Sequence, residues 1–327
     1  MKEFHCLKWF TGEAQTGGDM VFHFICEAIA KVRKTVVEVH PLEFLPGDMT
    51  NTRVIKMSSI LIRNLISLKK VSSGLNVYSG LRSGTFEYVQ PPPVDMRKLK
   101  ILEDKITARL ETLSRFDKTN LNLVVYASNF SLNKFRINGV RHEFIVNPPY
   151  YNSYENDLSE KKDISLTISR IHPSKKLELI GELSTKVPIK FVILGYLDKS
   201  ALNYFYWLKN TYPALEILPN ASEEVKRRYL YTSKIYVHSG LGEAFPISKL
   251  EAMNAGCIPL VPKIGGAKEG LPISSVYLDS KDLEEKINTN ITSYDKTVGR
   301  QFIEESHKFS MNNFMDKISY YVDNYMD

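Results

Sequence analysis

Two glutamates lie eight residues apart in the segment 242–262, GEAFPISKLEAMNAGCIPLVP. Glu243 comes just before a run with helical spacing, and Glu251 lies inside that run. Pro246, between them, suits the first turn of a helix, where its missing N–H would have no partner in any case. The free N–H groups of such a turn can hold an anion, and carboxylates accept hydrogen bonds from ligand hydroxyls. We expect Glu243 to contact hydroxyls ahead of the helix and Glu251 to take a vicinal diol, such as a ribose.

Two further loops carry residues suited to binding an anionic ligand. In ISLTISRIHPSKKLELIGEL (164–183), a predicted strand ends at Ser169, and Arg170 and Lys175 follow it. Two fixed cations there can hold a diphosphate, because arginine pairs its N–H groups with phosphate oxygens. The sequence IGGAKE (264–269) supplies adjacent glycines whose backbone can approach a ligand closely. Each residue alone is more often a solvated one, but three such loops in this order favour a ligand site.

Apolar strand-like runs alternate with amphipathic helical runs, which predicts parallel sheets covered by helices. The segment 146–163, VNPPYYNSYENDLSEKKD, breaks the alternation with prolines and charged residues and is the best candidate for a linker. We therefore expect two Rossmann-like α/β domains, 1–150 and 151–310, with parallel sheets facing across a cleft. A helical tail, 311–327, is expected to pack back on the first domain. Ligands of such sheets bind beyond the carboxyl ends of the strands.

The elements of the two domains are predicted from these runs. In the first domain, the predicted strands are Phe4–Lys8, Thr35–Val39, Asn76–Ser79, Phe86–Val89, Leu121–Tyr126 and Glu143–Val146, with helices over about 19–33 and 53–70. In the second domain, they are Ile164–Ile168, Ile189–Leu194, Ala214–Leu218, Ile235–Val237 and Ile258–Val261, and the tail helix spans about Met311 to Tyr325. Helices are expected between the strands of the second domain.

Composition and charge narrow the class of protein. The chain has 327 residues, 43% hydrophobic and 24% charged, as is ordinary for a globular protein. Residues 1–150 carry 21 Lys and Arg against 14 Asp and Glu, and the rest carries 22 against 23. The charge of the first half favours a nucleic acid, an anionic lipid or a phosphorylated substrate, or it serves only solubility. With the motifs taken into account, nucleic acid is not an expected partner. The cysteines form no CxxC pair, and no secretion signal is apparent, so we expect a cytoplasmic protein with reduced thiols.

The segment MSSILIRNLISLKK (57–70) bears on a possible membrane contact. It combines apolar residues with Arg63, Lys69 and Lys70, and as a helix it can lie on an anionic membrane surface. The alternative is an ordinary helix that covers a sheet. The first interpretation predicts peripheral contact with the inner face of a membrane through the basic N-terminal domain.

The order of these motifs resembles the donor-binding half of GT-B glycosyltransferases, specifically the retaining family 4 type (glycosyl transferases group 1). The segment 237–269, VHSGLGEAFPISKLEAMNAGCIPLVPKIGGAKE, matches that signature almost throughout. His238 after the strand and GCIPLVP after the helix are similar to the branch that contains lipid-linked oligosaccharide mannosyltransferases. The glycines of TGEAQTGGDMVFHFICEAIAK (11–31) resemble the family's glycine-rich loop.

The resemblance implies a role for each matched residue. Arg170 and Lys175 hold the donor diphosphate and, with Glu243, form the catalytic group. Glu243 contacts the transferred sugar, Glu251 binds the ribose, and the backbone at the helix start approaches sugar and phosphate. The remaining residues implied in donor binding are Gly17, Gly18, Ala244, Phe245, Pro246, Ile247, Gly265 and Gly266. No acceptor-side histidine is identified; His5, His23 and His40 are candidates by position only.

The implied function is transfer of a hexose, with retention, from a GDP-mannose- or UDP-glucose-type donor to a glycan or lipid-linked acceptor. No cofactor or metal is expected, since the cations and the helix terminus can neutralise the phosphates, and the sequence has no Asp-x-Asp motif and no zinc spacing. The absence of GxGxxG and GxxxxGK[ST] argues against a dinucleotide oxidoreductase or a P-loop ATPase. Two alternatives stay open: a non-catalytic GT-B protein that binds a nucleotide sugar, and a GT-B sugar-nucleotide epimerase or hydrolase.

Overall fold

The computed structural model describes residues 123–136 and 140–325 continuously, five strand segments between residues 4 and 89, and six helical positions between 21 and 31. The chain divides into two compact units. The first contains Met1–Pro92, Arg97–Pro149 and Met311–Asp327, and the second contains Pro93–Met96 and Tyr150–Ser310.

The first unit holds a seven-stranded sheet in the order β3-β2-β1-β4-β5-β6-β7. Its strands are β1 Phe4–Leu7, β2 Val36–Pro41, β3 Thr52–Met57, β4 Leu75–Ser79, β5 Thr85–Val89, β6 Leu123–Tyr126 and β7 His142–Ile145. Strand β4 runs antiparallel to both neighbours, whereas the other pairs are parallel. Only five residues, 80–84, separate β4 from β5, too few for the crossover that parallel pairing requires. The expected parallel sheet is therefore interrupted at this one strand.

The predicted helix over 53–70 is wrong at its start. Residues Thr52–Met57 form strand β3, which pairs with β2 in parallel register from Val36↔Thr52 to Pro41↔Met57. The β-branched residues of TRVIKM favour a strand, and the helical spacing that suggested a helix begins only after them. Residues 58–70, which carry the rest of that prediction, lie outside the described residues.

The last helix of the chain packs within the first unit. Phe314, Ile318 and Val322, spaced four residues apart on one face, are buried. Ser319 Oγ donates to the carbonyl of Ala28 at 2.6 Å, and the ring of Tyr321 stacks on that of Phe144, with centroids 3.9 Å apart. Residues 311–325 thus contact both an early and a late part of the first unit's sequence, at Ala28 and at Phe144.

The second unit contains a parallel six-stranded sheet in the order β10-β9-β8-β11-β12-β13. Its strands are β8 Lys162–Ile168, β9 Lys190–Gly195, β10 Leu215–Pro219, β11 Ser233–Val237, β12 Ile258–Pro262 and β13 Val276–Tyr277. The described helices of the chain are α1 Asn129–Phe135, α2 Glu178–Ser184, α3 Leu202–Thr211, α4 Glu223–Thr232, α5 Ile247–Asn254, α6 Ser280–Ser293, α7 Lys296–Ser306 and α8 Met311–Tyr325. The five strands predicted here are confirmed, and only the two-residue β13 was not predicted.

The core of the second unit lies on both faces of its sheet. On β9, Phe191 and Ile193 belong to one buried cluster, whereas Val192 and Leu194 belong to another. This division follows from the two-residue period of a strand, whose side chains point alternately to opposite faces. Because both faces of the sheet are covered, a ligand can reach it only at the edge where the strands end.

The predicted linker is largely packed onto the second unit. Residues 146–161 form no helix or strand, but Tyr154 is fully buried. Its backbone N–H donates to Asn254 Oδ1 at 2.6 Å. Leu158 is buried too, and a Cβ added at Gly256 would lie 2.4 Å from its side chain. The prolines and polar composition predicted an interdomain linker, but buried Tyr154 and its partner Asn254 on α5 hold the segment against the second unit.

Candidate active site

The predicted site residues of the second unit lie where the strand order of its sheet reverses. Strands β8 and β11 are neighbours at the centre, and the chain proceeds outward from β8 through β9 and from β11 through β12. The loops that follow these two strands therefore leave the sheet side by side. Such a switch point is the usual ligand position in an open α/β sheet.

The loop after β8 places Lys175. A short 3₁₀ turn, Pro173–Lys175, begins at His172, whose Nδ1 accepts from the backbone N–H of Ser174 at 3.2 Å. From the loop after β11, Ser239 Oγ donates to the carbonyl of Lys175 at 2.7 Å. The two loops are thus tied together, and the side chain of Lys175 is directed toward the second loop.

Buried His238 forms a cluster with Lys175 and Glu243, whose side chains are each 12% exposed. Lys175 Nζ is ion-paired with Glu243 Oε1, and His238 Nε2 lies 3.4 Å from the same oxygen. His238 Nε2 makes no hydrogen bond within the described residues. Gly240 leaves room for the cluster, because a Cβ there would lie 2.5 Å from Glu243 Oε1. The predicted catalytic pair Lys175 and Glu243 is therefore in direct contact.

Burial and charge set the protonation of this cluster. Burial by itself raises the pKa of Glu243, but the neighbouring His238 and the charge and hydrogen bond of Lys175 outweigh it and hold the pKa below its usual value. Burial lowers the pKa of His238, and Glu243 opposes this only in part. At neutral pH, Glu243 is a carboxylate and His238 a neutral imidazole, so Glu243 accepts hydrogen bonds and has no proton to give.

Helix α5 begins directly after this carboxylate. Pro246 occupies the N-cap position with φ −73° and ψ 122°, and no side chain caps the first turn. The first-turn N–H groups therefore keep their capacity to bind an anion. Ala244 and Phe245 are buried, each 2% exposed, so only their backbone is suited to contact a ligand. Ile247 opens the helix.

The glycine loop after β12 rests against the backbone of Glu243. The N–H of Gly266 donates to the carbonyl of Glu243 at 2.7 Å. Gly265 has φ 110°, a conformation that side chains disfavour, and a Cβ there would lie 3.1 Å from the nitrogen of Glu243. The predicted loop thus meets the Glu243 segment through backbone contacts that require glycine.

Glu251 lies in the second turn of α5, buried and 4% exposed. Its Oε1 accepts from Lys226 Nζ of α4 at 2.6 Å. Burial raises the pKa of Glu251, and Lys226 opposes the shift. The predicted ribose carboxylate is therefore held by a cation on one oxygen, which leaves the other oxygen as an acceptor.

Several predicted residues are placed less closely or fall elsewhere. Arg170 is exposed, and its guanidinium makes no hydrogen bond or ion pair within the described residues, yet its charge lowers the pKa of both Glu243 and Asp198. Gly17, Gly18 and His23 lie outside the described residues, as do the side chains of His5 and His40. The structure thus brings Lys175, Glu243, Gly265 and Gly266 together. Glu251 lies in the second turn of α5, the helix that follows Glu243.

Sequence reasoning assigned no role to three residues that the structure places here. His238 and Lys226 contact the two predicted glutamates, and Lys249 is fully buried beneath the glycine loop. His238 adjoins the motif and is signalled by its position at the end of a strand. A lysine on a helix is normally solvated, so nothing in the sequence distinguishes Lys226 or Lys249.

Comparison with known families agrees with this arrangement. The family model described as glycosyl transferases group 1 matches residues 152–272. This part of the chain is thus similar to group 1 glycosyltransferases. The matched range contains Arg170, Lys175, Glu243 and Glu251 and ends just after the glycine loop. The resemblance seen in the sequence is confirmed, while its narrower likeness to lipid-linked oligosaccharide mannosyltransferases stays a prediction.

Two curated relatives are glycogen synthases. That of Clostridium kluyveri is 24% identical over 204 residues, which are 58% of this chain and 42% of the relative. That of Caldicellulosiruptor saccharolyticus is 33% identical over 107 residues, which are 31% of this chain and 22% of the relative. The chain therefore matches less than half the length of each of these relatives.

A solved structure is similar over nearly the whole chain. HepE from Anabaena, in complex with UDP, superposes with a TM-score of 0.68 at 15% identity, covering 98% of this chain and 99% of that one. HepE has also been solved with UDP-glucose. The structural similarity confirms the predicted GT-B fold.

The described residues contain neither a membrane-spanning helix nor a cluster of metal ligands. No described helix is both long and apolar enough to span a bilayer. Within the described part of the chain, no three His, Cys, Asp or Glu side chains are grouped as metal ligands.

Proposed function

We propose that this chain is a retaining hexosyltransferase that uses a nucleoside-diphosphate sugar of the GDP-mannose or UDP-glucose type. The observation that carries the proposal is the Lys175–Glu243–His238 cluster, set between a β8 loop with two cations and an uncapped helix terminus. A diphosphate needs the cations and the amides, and a sugar needs a fixed hydrogen-bond acceptor beside them. The cluster and the adjacent helix terminus supply the groups for the diphosphate and the acceptor for the sugar side by side.

Each residue is assigned one part of the donor. Arg170 and Lys175 hold the diphosphate, with the first-turn amides of α5 facing it. Glu243 accepts hydrogen bonds from hydroxyls of the transferred sugar, and Glu251 accepts those of the ribose. The UDP and UDP-glucose complexes of HepE support this type of ligand, and the glycogen synthase relatives support transfer of a hexose.

The reaction is proposed to proceed by stabilising the leaving group. The bond between the sugar C1 and the β-phosphate oxygen breaks, and its electron pair leaves with the phosphate, where Arg170, Lys175 and the helix amides stabilise the charge. The acceptor oxygen bonds to C1 from the same face, and its proton passes to the departing phosphate. Glu243 is not the nucleophile, since Lys175 and the sugar hydroxyls occupy its oxygens. The cations make a catalytic metal unnecessary in this scheme.

The two alternatives differ in their products. A non-catalytic protein would bind the nucleotide sugar and release nothing, an epimerase would return a nucleotide sugar with one sugar carbon inverted, and a hydrolase would release nucleotide with free sugar. The Lys175–Glu243 pair in direct contact favours catalysis, because a protein without a reaction to perform would be free to lose this largely desolvated pair.

A donor panel tests the proposal directly. Purified protein is mixed with UDP-, GDP-, ADP- and dTDP-sugars in EDTA, and thermal shift and nucleotide release are followed. We expect one donor to stabilise the protein by about 2–4 kcal/mol at 100–1,000 times its Kd, and this shift to be lost in Arg170→Ala. Glycosylated product from an added glycan distinguishes transfer from hydrolysis. Failure of every nucleotide sugar to bind contradicts the proposal.

The acceptor is proposed to be a glycan or a lipid-linked glycan, reached at a membrane surface through the basic first 150 residues. Their excess of Lys and Arg supports this, as does the amphipathic composition of residues 57–70. We expect the protein to co-sediment with vesicles that contain about a third anionic lipid, and to be released as salt shortens the Debye length from about 10 Å to about 3 Å. Equal recovery with neutral vesicles contradicts the membrane contact.

A further inference from the structure

Lys249 is a fully buried cation inside helix α5, between the two predicted donor glutamates in sequence. Its Nζ donates to the carbonyls of Ala267 at 3.0 Å and Glu269 at 2.9 Å. The same Nζ lies 3.8 Å from the centroid of the Phe245 ring. An ammonium has three N–H bonds, so two carbonyls and one aromatic face satisfy it fully.

These contacts join the two segments that carry the predicted donor contacts. Phe245 belongs to the entry of α5, two residues after Glu243. Ala267 and Glu269 follow directly on Gly265 and Gly266, whose turn hydrogen-bonds to the backbone of Glu243. Lys249 thus fixes the far end of the same loop that Glu243 holds at its near end.

Stability alone does not account for a cation here. The hydrogen bonds of Lys249 Nζ go to backbone carbonyls, and Glu269 is the carboxylate whose charge acts on it. Burial of an ammonium costs several kcal/mol, which the charge of Glu269 offsets only in part, and a methionine of similar length would fill the space with no such cost. Burial lowers the pKa of Lys249 to about 7, and Glu269 opposes the shift. Perturbed groups of this kind are concentrated at functional sites.

We propose that Lys249 is a positioning residue for donor transfer, whose ammonium holds the carbonyls of Ala267 and Glu269 and so keeps the Gly265–Gly266 turn against Glu243. This inference rests on the proposed function. The charged form makes the stronger hydrogen bonds to carbonyls. Loss of its proton therefore loosens the turn, and transfer is expected to decline on the alkaline side.

The titratable groups that face Lys249 do not account for the expected alkaline decline, which is therefore assigned to Lys249. Glu269, on the loop it holds, favours the protonated form, and His238, at the end of β11, senses the charge of Lys249. Burial lowers the pKa of His238, so it is already neutral where Lys249 titrates. Phe245 and Phe309, the rings beside Nζ, carry no charge.

The chain offers a matched control in Lys161. This partly buried lysine also donates to two carbonyls, those of Leu230 at 2.9 Å and Ser233 at 2.7 Å, and its third contact is with Cys257 Sγ at 3.3 Å. It precedes β8 and contacts the first residue of β11, so it lies at the opposite edge of the sheet from the strand ends that carry the candidate site. Lys161→Met and Lys249→Met therefore remove the same kind of interaction, only one of them at the donor loop.

The experiment compares full-length wild type, Lys249→Met, Lys249→Arg and Lys161→Met with the donor found in the panel. We expect both methionine variants to keep a Tm near or above that of the wild type, but only Lys249→Met to lose kcat/KM, by about 10²-fold, as for a misplaced contact group. Lys249→Arg should recover part of this loss. Equal losses in Lys161→Met, or an unchanged kcat/KM in Lys249→Met, overturn the proposal.

If Lys249→Met does not fold, the pH profiles of the wild type and of Lys249→Arg test the proposal instead. We expect kcat/KM of the wild type to fall as pH rises above about 7, and Lys249→Arg to move this limb to higher pH, since arginine does not lose its proton in this range. A limb that stays in place in Lys249→Arg overturns the proposal. If the wild type binds no nucleotide sugar at all, the proposed function fails first, and this is seen before any variant is made.

Discussion

Glu243→Gln is expected to lower kcat for sugar transfer by about 10²–10³-fold, while KM for the donor changes far less. Glutamine keeps the size of the side chain but removes the negative charge that Lys175 and His238 surround. The positive charge that builds on the sugar as the leaving group departs then loses its nearest compensating carboxylate. The loss falls on the transition state more than on the bound donor, so it is expected in kcat.

Steady-state kinetics with the donor from the panel measure this effect, and Glu216→Gln is the matched control. Glu216 is paired with Lys190 at 2.5 Å on strand β10, so its replacement breaks a Lys–Glu pair of the same unit that has no proposed part in catalysis. We expect Glu216→Gln to keep its kcat. If Glu243→Gln keeps the wild-type kcat, Glu243 has no part in the reaction.

The same variant has a pH signature in stability. Because the folded protein holds the pKa of Glu243 below its unfolded value of about 4.3, the carboxylate contributes stability above that value. The contribution is lost as the pH falls through the lower, folded pKa. The difference in Tm between wild type and Glu243→Gln is therefore expected to be full at pH 6–7 and to shrink in acid below about pH 4. A difference that grows in acid would mean that the charged cluster does not stabilise the fold.

The fold could be predicted from the sequence where strands are buried and evenly spaced. Strands β8 to β12 read as short apolar runs between helices, and all were found within two residues of their ends. The prediction failed where a local cue was outweighed by pairing: TRVIKM became a strand beside β2, and the five-residue loop 80–84 forced β4 to run antiparallel. The segment around Tyr154 was predicted to be a linker because one buried aromatic residue does not produce an apolar repeat in the sequence.

The site could be predicted to the level of its acidic and glycine residues. Glu243, Glu251 and the 264–269 loop lie in one recognisable motif, and Lys175 was found by its distance from a strand end. Their counter-charges were not foreseen, because ion pairs between separate elements depend on the packing of those elements. Lys226 reaches Glu251 across 25 positions of sequence, and Lys249 reaches the carbonyl of Glu269 across 20.

The Glu251–Lys226 pair leads to the second large effect. Glu251→Gln is expected to raise KM for the donor by about 10–100-fold and to leave kcat within a few-fold, because hydrogen bonds to a charged group contribute about 1.5–3 kcal/mol. The ribose lies away from the bond that breaks, so the loss applies equally to bound donor and transition state. Glu223→Gln is the control, since Glu223 is the other acidic neighbour of Lys226, at 3.7 Å, and has no proposed part in donor binding. A fall in kcat with KM unchanged would contradict the ribose assignment.

The pH dependence of KM then separates the charge of Glu251 from its shape. Burial raises the pKa of Glu251 and Lys226 opposes the shift, so donor affinity is expected to decline as the pH falls through that pKa and the carboxylate takes up a proton. Lys226→Met removes the opposing cation and moves the decline to higher pH, whereas Glu251→Gln abolishes it. Measuring KM from pH 5.5 to 8 for the three proteins tests this order. If Lys226→Met follows the wild-type profile, the cation does not set the charge of Glu251, and the pair serves only to hold α4 against α5.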